Sequence, residues 1–91
     1  WYAYRGSKAA QNMFTRTIAL ELRRRAPNAI VVAIHPGTVD TDLSRPFQRS
    51  VPPAKLFDAG RAARQLLGVL DALTADHSGS FVAFDGSAIP W

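Results

Sequence analysis

The sequence contains no cysteine, and this absence excludes a disulfide framework as well as a thiolate metal site. Histidine is also scarce: neither His35 nor His77 has a second ligand at metal-binding spacing, so we expect no metal. No apolar run reaches the roughly 18 residues that a membrane span requires. No secretory signal can be recognised. We therefore expect a protein without a membrane association, cytoplasmic by default.

Acidic residues are few as well, since 7 Asp and Glu stand against 11 Lys and Arg, for a net charge of +4. Much of the excess lies in Arg23, Arg24 and Arg25, at the predicted end of a helix. There, the negative end of the helix dipole accounts for them. No aromatic residues interleave with these arginines as base stacking requires. We expect no nucleic-acid partner.

The length and the 47% hydrophobic content predict at most one globular domain. The spacing of apolar residues and of turn-forming residues sets its elements. In chain order we predict a helix at about 4–25, a strand at 29–34, a loop with a short helical turn at 44–57, a helix that follows the N-cap Asp58, and a strand at 81–84.

The strand at 29–34 is apolar and β-branched without alternation, which is typical of a parallel strand covered on both faces. The strand–helix–strand order predicts that 29–34 and 81–84 are parallel, joined by a right-handed crossover. Two strands alone cannot form a sheet buried on both faces. We therefore expect the C-terminal portion of an open α/β sheet, with its N-terminal half missing from this sequence.

The first predicted helix carries a wide apolar stripe. Such a stripe predicts burial on two sides, against the sheet and against a partner subunit, or on the parent sheet alone. Its members are Ala9, Ala10, Met13, Phe14, Ile18, Leu20 and Leu22.

Tyr4 and Lys8 lie four residues apart at the start of that helix, which places them on one face with Cβ atoms roughly 6 Å apart. A phenol alone is a poor proton donor or acceptor at neutral pH. A nearby cation favours the phenolate, as a general acid–base requires. Chance spacing is the alternative, with the tyrosine half-buried and the lysine in water. The pair is our candidate for catalysis.

Three features together resemble the short-chain dehydrogenase/reductase family: Tyr4-x-x-x-Lys8, the apolar strand, and the segment His-Pro-Gly-Thr-Val-Asp-Thr at 35–41. In that family a Tyr-x-x-x-Lys motif begins a helix and Pro-Gly-x-Val-x-Thr follows the next strand. The ending at 85–91, together with Thr38-Val39-Asp40-Thr41, is most similar to the C-factor or C-signal-like branch. The resemblance implies that 1–91 is the C-terminal part of one Rossmann-type, doubly wound domain.

The resemblance also implies an oxidoreductase that uses NAD or NADP and a small carbonyl or alcohol substrate. Tyr4 would be its general acid–base, in contact with substrate and cofactor. Lys8 would bind the nicotinamide ribose and stabilise the Tyr4 phenolate. A homodimer or homotetramer is implied, with the first helix and the last strand at its interfaces.

Four further residues would bind the cofactor by resemblance. The backbone at Pro36 and Gly37 would pass close to the nicotinamide. Val39 would meet the carboxamide through its amide and carbonyl, and the Thr41 hydroxyl would bond the phosphate or amide region. The alternative is that Gly37 only ends a strand and that Thr41 or Asp40 only caps a short helix. We expect His35 to have a packing role at the strand end.

The loop at 44–57 stands where the family forms its substrate lid, and Phe47 and Leu56 are candidates to line an apolar pocket there, although ordinary packing explains them equally well. The family's glycine-rich phosphate loop and its catalytic Ser and Asn belong to the missing half. We therefore expect this chain alone to be inactive. The alternative function is a non-catalytic, C-factor-like signalling or interaction fragment.

Overall fold

The computed structural model describes all 91 residues, as two long helices and two small parallel sheets. The elements in chain order are α1 (Tyr2–Arg25), β1 (Ala33–His35), β2 (Thr38–Val39), β3 (Leu56–Phe57), α2 (Ala59–Ala72) and β4 (Phe81–Ala83). Short 3-10 turns lie at Arg45–Ser50, Pro53–Lys55 and Ala75–His77. The predicted helices are both present, and the predicted helical turn lies in the loop.

The first sheet pairs β1 with β4 in parallel, Ala33 lying opposite Phe81, and α2 lies between the two strands in sequence. This pairing confirms the predicted strand–helix–strand unit. β1 is shorter than the predicted strand because its partner begins only at Phe81. Before that point Val31 bonds the turn that precedes β4: its carbonyl accepts from the Gly79 N–H at 2.7 Å and its N–H donates to Ser78 Oγ at 3.1 Å.

The second sheet, which the sequence analysis did not predict, pairs β2 with β3 in parallel. Thr38 lies opposite Leu56 and Val39 opposite Phe57, and the Asp40 N–H donates to the Phe57 carbonyl at 2.7 Å. Strands of two residues have no detectable periodicity, so the pattern indicated only a turn and a loop. The pairing of β2 with β3 holds the two ends of the loop at 40–55 side by side.

α2 begins as predicted, because Asp58 Oδ1 accepts a hydrogen bond from the Arg61 N–H at 2.7 Å and caps the helix. Its buried side chains are Ala62 and Val69. The Arg61 guanidinium lies 4.4 Å from the centroid of the Phe57 ring, so it covers the end of β3.

α1 meets the rest of the chain through a narrower face than its apolar stripe predicts. Its only buried residue is Ala19, and the Arg16 guanidinium donates to the Gly79 carbonyl at 3.1 Å. Phe14 and Ile18, which belong to the predicted stripe, are exposed. Within these residues α1 meets the turn at Gly79 through Arg16 and Ala19, and the side that carries the large apolar residues faces outward.

The core is small, since 6 of the 91 residues are buried. They are Ala19, Phe57, Ala62, Val69, Gly79 and Val82. The expected burial of strand 29–34 on both faces is not met here: its residues from Val31 to Ile34 are half-buried, because β1 is paired along one edge only. Neither helix combines the length and apolar character that crossing a membrane demands.

The C-terminal segment folds back on the other edge of β4, where Val82 and Ala88 form an antiparallel bridge. Asp85 closes this turn, because its carboxylate accepts from the Ser87 hydroxyl at 2.6 Å and from the Ser87 N–H at 2.9 Å. Those bonds lower the pKa of Asp85, the hydroxyl contributing most. The last residue, Trp91, packs near Phe81 with ring centroids 5.5 Å apart.

Candidate active site

Tyr4 and Lys8 lie on one face of the first turns of α1, as their spacing predicts. The Lys8 ammonium is 5.9 Å from the centroid of the Tyr4 ring and donates a long hydrogen bond of 3.4 Å to Gln11 Oε1. Ser7, between them, donates its hydroxyl to the Tyr4 carbonyl at 2.7 Å, a bond within the helix. The structure therefore places the ammonium and the phenol ring close together on one face of the helix.

A groove of about 590 Å³ separates this part of α1 from β1 and the turn that follows it. Tyr4 and Lys8 line one wall, and Pro36 and Gly37 line the other with His35. The volume lies in the range of ligand sites, roughly 300–1,000 Å³. The structure thus brings four of the six predicted site residues to one groove. Val39 and Thr41 do not line it.

Gly37 is needed at the end of β1 for two reasons. Its φ is +78°, in the left-handed region that favours glycine. A Cβ atom there would lie 2.7 Å from the Phe57 ring and 3.1 Å from the Phe84 ring. These rings pack edge to face with centroids 4.8 Å apart, so they cannot yield freely. The positive φ of the backbone and the two packed rings behind the turn therefore both require glycine at this position.

Val39 and Thr41 belong to a network at the end of β2. The Thr41 hydroxyl oxygen accepts from the Ser44 N–H at 3.3 Å, and Ser44 Oγ donates to the Val39 carbonyl. Gln48 Nε2 donates to Asp40 Oδ1 at 3.0 Å and to Ser44 Oγ at 3.0 Å. The bond from Ser44 to Thr41 closes the turn at 41–44, which leads into the 3-10 helix at Arg45–Ser50. The Val39 carbonyl keeps a second lone pair, so contact with a cofactor stays a prediction.

His35 is a residue that the sequence analysis assigned to packing, and the structure gives it a different role. Its ring is exposed, and Nδ1 accepts a hydrogen bond of 3.0 Å from the Gly37 N–H. The bond spans two residues, as in the turns that Asn and Asp side chains stabilise. The signal was available in the sequence: an acceptor side chain stands two residues before a glycine that ends a strand.

We expect His35→Ala to lower the free energy of unfolding by about 1 kcal/mol, because the Gly37 N–H loses its acceptor. His35→Asn should retain most of the stability, since its side-chain oxygen can accept the same bond. Urea denaturation of both variants beside the parent protein measures the difference. Equal losses in the two variants would show that the ring acts by packing and not through Nδ1.

A second pocket, of about 640 Å³, opens on the other side of Tyr4. We call it the aromatic pocket; it is lined by Trp1, Tyr4, Leu43, Ser44 and Phe47. The Trp1 ring centroid lies 5.7 Å from that of Tyr4 and 5.6 Å from that of Phe47. Tyr4 is common to the groove and to this pocket.

Of the two lid residues predicted to line an apolar pocket, Phe47 does so. Leu56 instead belongs to β3, outside the aromatic pocket. The pairing of β2 with β3 explains the difference, because Leu56 lies opposite Thr38 in the small second sheet.

A model of the family described as short chain dehydrogenase matches residues 1–51, which include Tyr4, Lys8 and the Pro36–Gly37 turn. The match spans more than half of the chain. The chain belongs to the short-chain dehydrogenase family. The predicted resemblance is therefore confirmed, and its motifs lie within the matched residues.

A curated relative supports the assignment to this family. The chain is 39% identical over 90 residues to C-signal of Myxococcus xanthus, an alignment that covers 99% of the chain and 49% of that protein. The similarity agrees with the branch that the C-terminal sequence predicted. The chain spans about half the length of that relative.

Two solved structures share its fold. One is the carbonyl reductase Sniffer of D. melanogaster, with a TM-score of 0.81 and 29% identity over 99% of this chain and 33% of that one. The other is an NADPH-bound carbonyl reductase from chicken fatty liver, with a TM-score of 0.81 and 32% identity over 97% of this chain and 32% of that one. These matches support an α/β fold that is consistent with a portion of a Rossmann-type sheet.

Proposed function

We propose that residues 1–91 are the C-terminal part of a single domain that catalyses nicotinamide-dependent oxidation and reduction, with Tyr4 as its general acid–base. The observation that carries the proposal is the position of Tyr4. Its side chain stands between a groove that contains Lys8 and an apolar pocket, so one phenol can contact a cofactor on one side and a substrate on the other. The family match supports the reaction class.

The groove fits the nicotinamide end of NAD or NADP. Its volume is sufficient, and Lys8 supplies an ammonium donor for ribose hydroxyls beside the turn at Pro36 and Gly37. The chicken carbonyl reductase of similar fold is bound to NADPH, which supports this class of cofactor. Bound there, the nicotinamide would supply or accept a hydride at its C4 atom. Val39 and Thr41 would contact its carboxamide or phosphate region from the neighbouring strand end.

Tyr4 moves the proton in this proposal. When a carbonyl carbon gains a hydride, its oxygen takes the proton from Tyr4 Oη and the product is an alcohol. In the reverse direction the phenolate takes the proton from the alcohol. The Lys8 ammonium, which lies 5.9 Å from the centroid of the Tyr4 ring, would act beside the phenol as the cation of this step.

The family's phosphate-binding loop and its catalytic Ser and Asn have no counterparts among these residues. We therefore expect residues 1–91 alone to bind the dinucleotide weakly and to show no turnover. The complete protein is the form in which to test the activity.

The alternative is a non-catalytic, C-factor-like signalling or interaction fragment. The similarity to C-signal and the exposed apolar side of α1 favour it. Intact mass measured on the protein from its natural source, followed by titration with NADPH and NADH, separates the two. A mass well above 9.9 kDa with saturable cofactor binding supports the oxidoreductase. A mass of 9.9 kDa without binding supports the fragment.

We further propose that the protein forms a homodimer or homotetramer through the outer side of α1, with the region of β4 as a second contact. Large apolar side chains are exposed along α1, among them Met13, Phe14 and Ile18. Exposed large apolar side chains on one helix can mark a subunit interface, and two-fold assemblies are the commonest.

We expect Phe14→Asp to shift the complete protein toward monomer, because a buried, unpaired carboxylate opposes association. Size-exclusion chromatography with light scattering measures the molar mass. Leu67→Asp is the matched control: Leu67 is 59% exposed on α2 and Phe14 is 65% exposed. If only the control changes the mass, or neither variant does, α1 does not form the interface.

A further inference from the structure

We infer that His35 positions the Pro36–Gly37 turn for the cofactor, and that cofactor binding therefore weakens when the His35 ring is protonated. The inference rests on the proposed function, because the groove beside this turn must hold the nicotinamide end of NAD or NADP. His35 is a positioning residue in this proposal. It acts on the cofactor through the backbone of Gly37 and takes no part in hydride or proton transfer.

The hydrogen bond between the Gly37 N–H and the His35 ring determines which ring nitrogen carries the proton. Nδ1 accepts this bond at 3.0 Å, so the neutral ring has its lone pair on Nδ1 and its proton on Nε2. No backbone carbonyl accepts a hydrogen bond from the Gly37 N–H. A protonated imidazole carries N–H groups at both nitrogens and accepts nothing. Protonation therefore removes the acceptor and sets two donors against each other.

The turn that this bond closes forms part of the wall of the groove. His35, Pro36 and Gly37 line the groove across from α1. Behind Gly37, the rings of Phe57 and Phe84 lie within 3.1 Å of where a Cβ atom would stand, so they limit the turn on that side. The bond to His35 fixes the direction of the Gly37 N–H. Without it the peptide can rotate toward water, and fewer molecules hold the turn in the form that the cofactor binds.

The charge of the cofactor makes the sign of the effect informative. A dinucleotide carries negative phosphates, so an added positive charge on His35 would by itself strengthen binding. Loss of the turn has the opposite effect on affinity. Weaker binding in acid therefore identifies the turn, and not the charge of the ring, as the cause.

Other titratable groups lie near the groove and have to be separated from His35. Those that line the groove with it are Tyr4 and Lys8, both on α1. On β4 the residue opposite His35 is Ala83, which does not titrate. The carboxylates next to the neighbouring strands have partners of their own: Asp40 accepts from Gln48, Asp58 from the Arg61 N–H and Asp85 from Ser87. A variant that replaces the imidazole alone separates its titration from theirs.

The size of the effect is limited by what one hydrogen bond contributes. A net contribution of ordinary size corresponds to about a fivefold change in an equilibrium constant. The cofactor dissociation constant rises as the fraction of molecules with the turn formed falls. We therefore expect about fivefold weaker cofactor binding when the bond is lost. At saturating cofactor kcat should stay nearly unchanged, because His35 does not touch the reacting atoms.

The experiment measures the dissociation constant of NADH and of NADPH for the complete protein, by fluorescence titration at about pH 8 and about pH 5.5, on either side of the range in which imidazole titrates. His35→Asn is the reference, because its side-chain oxygen accepts the same bond at both pH values. The ratio of the parent constant to the His35→Asn constant cancels titration elsewhere in the protein or on the cofactor. We expect a ratio of about one at the higher pH and about five at the lower. His35→Ala should bind about fivefold more weakly than the parent at the higher pH.

His77→Asn is the matched control. His77 Nδ1 also accepts a hydrogen bond from a backbone N–H, that of Thr74 at 2.9 Å, but His77 does not line the groove. This variant should bind the cofactor as the parent does at both pH values. A parent-to-Asn ratio that stays at one in acid, or parental affinity in His35→Ala, would overturn the role of His35 and leave the proposed function standing. If the parent binds neither NADH nor NADPH, the proposed function fails and the role of His35 fails with it.

Discussion

Tyr4→Phe in the complete protein is expected to abolish turnover and to leave cofactor affinity almost unchanged. The phenyl ring keeps its place between the groove and the aromatic pocket, but it has no proton to give. Positioned acid–base groups contribute about 10²–10⁴-fold to rate, so kcat should fall by at least that factor. Initial rates of cofactor oxidation, together with a cofactor dissociation constant from fluorescence titration, separate the two effects.

Tyr2→Phe is the matched control for this substitution. Tyr2 is another tyrosine of the same helix turn, it is 97% exposed, and it lines neither the groove nor the aromatic pocket. Its loss of a hydroxyl should leave kcat unchanged. Lys8→Ala should damage both turnover and cofactor affinity, because Lys8 is assigned to both. Unchanged turnover in Tyr4→Phe would remove Tyr4 from the mechanism.

Gly37→Ala is expected to lower the free energy of unfolding by about 3 kcal/mol, from left-handed strain and from overpacking. The new methyl group would meet the ring of Phe57, which is 3% exposed and packed against Phe84. The ring cannot withdraw without disturbing β3. Denaturant unfolding of the complete protein, followed by circular dichroism, measures the change.

Gly68→Ala is the control, and we expect it to raise the free energy of unfolding where Gly37→Ala lowers it. Gly68 lies inside α2, has no positive φ, and a Cβ there would meet nothing within 4 Å. Alanine should therefore raise stability by about 0.5–1 kcal/mol through helix propensity. If Gly37→Ala is as stable as the parent, the turn tolerates a side chain, and the account of Gly37 is wrong.

The parts of the fold that sequence reasoning predicted are those with strong local signals. Helical spacing placed Tyr4 and Lys8 on one face, and Asp58 capped the second helix as its side chain suggested. The strand–helix–strand order predicted the parallel pairing of β1 and β4. Each of these features is fixed by short-range periodicity or by a connection rule, so a single sequence is sufficient to find it.

The features that escaped prediction depend on contacts between distant residues. The ladder of Thr38 with Leu56 is too short to leave a pattern, and it decides that Phe47, not Leu56, lines the aromatic pocket. The apolar stripe of α1 showed that a large surface is available, but periodicity does not say which side the sheet covers. Trp1 contacts the ring of Phe47, 46 positions away, and no local pattern in the sequence predicts that contact.

Transfer of deuterium from the cofactor to the product tests the central claim most directly. The complete protein would be given a panel of aliphatic and aryl ketones with NADPH or NADH carrying deuterium at both C4 positions, and the product alcohols would be analysed by mass spectrometry. The account predicts one deuterium on the carbinol carbon with the parent protein, and no alcohol with Tyr4→Phe. Alcohol without deuterium, or equal deuterated product from Tyr4→Phe, would contradict it.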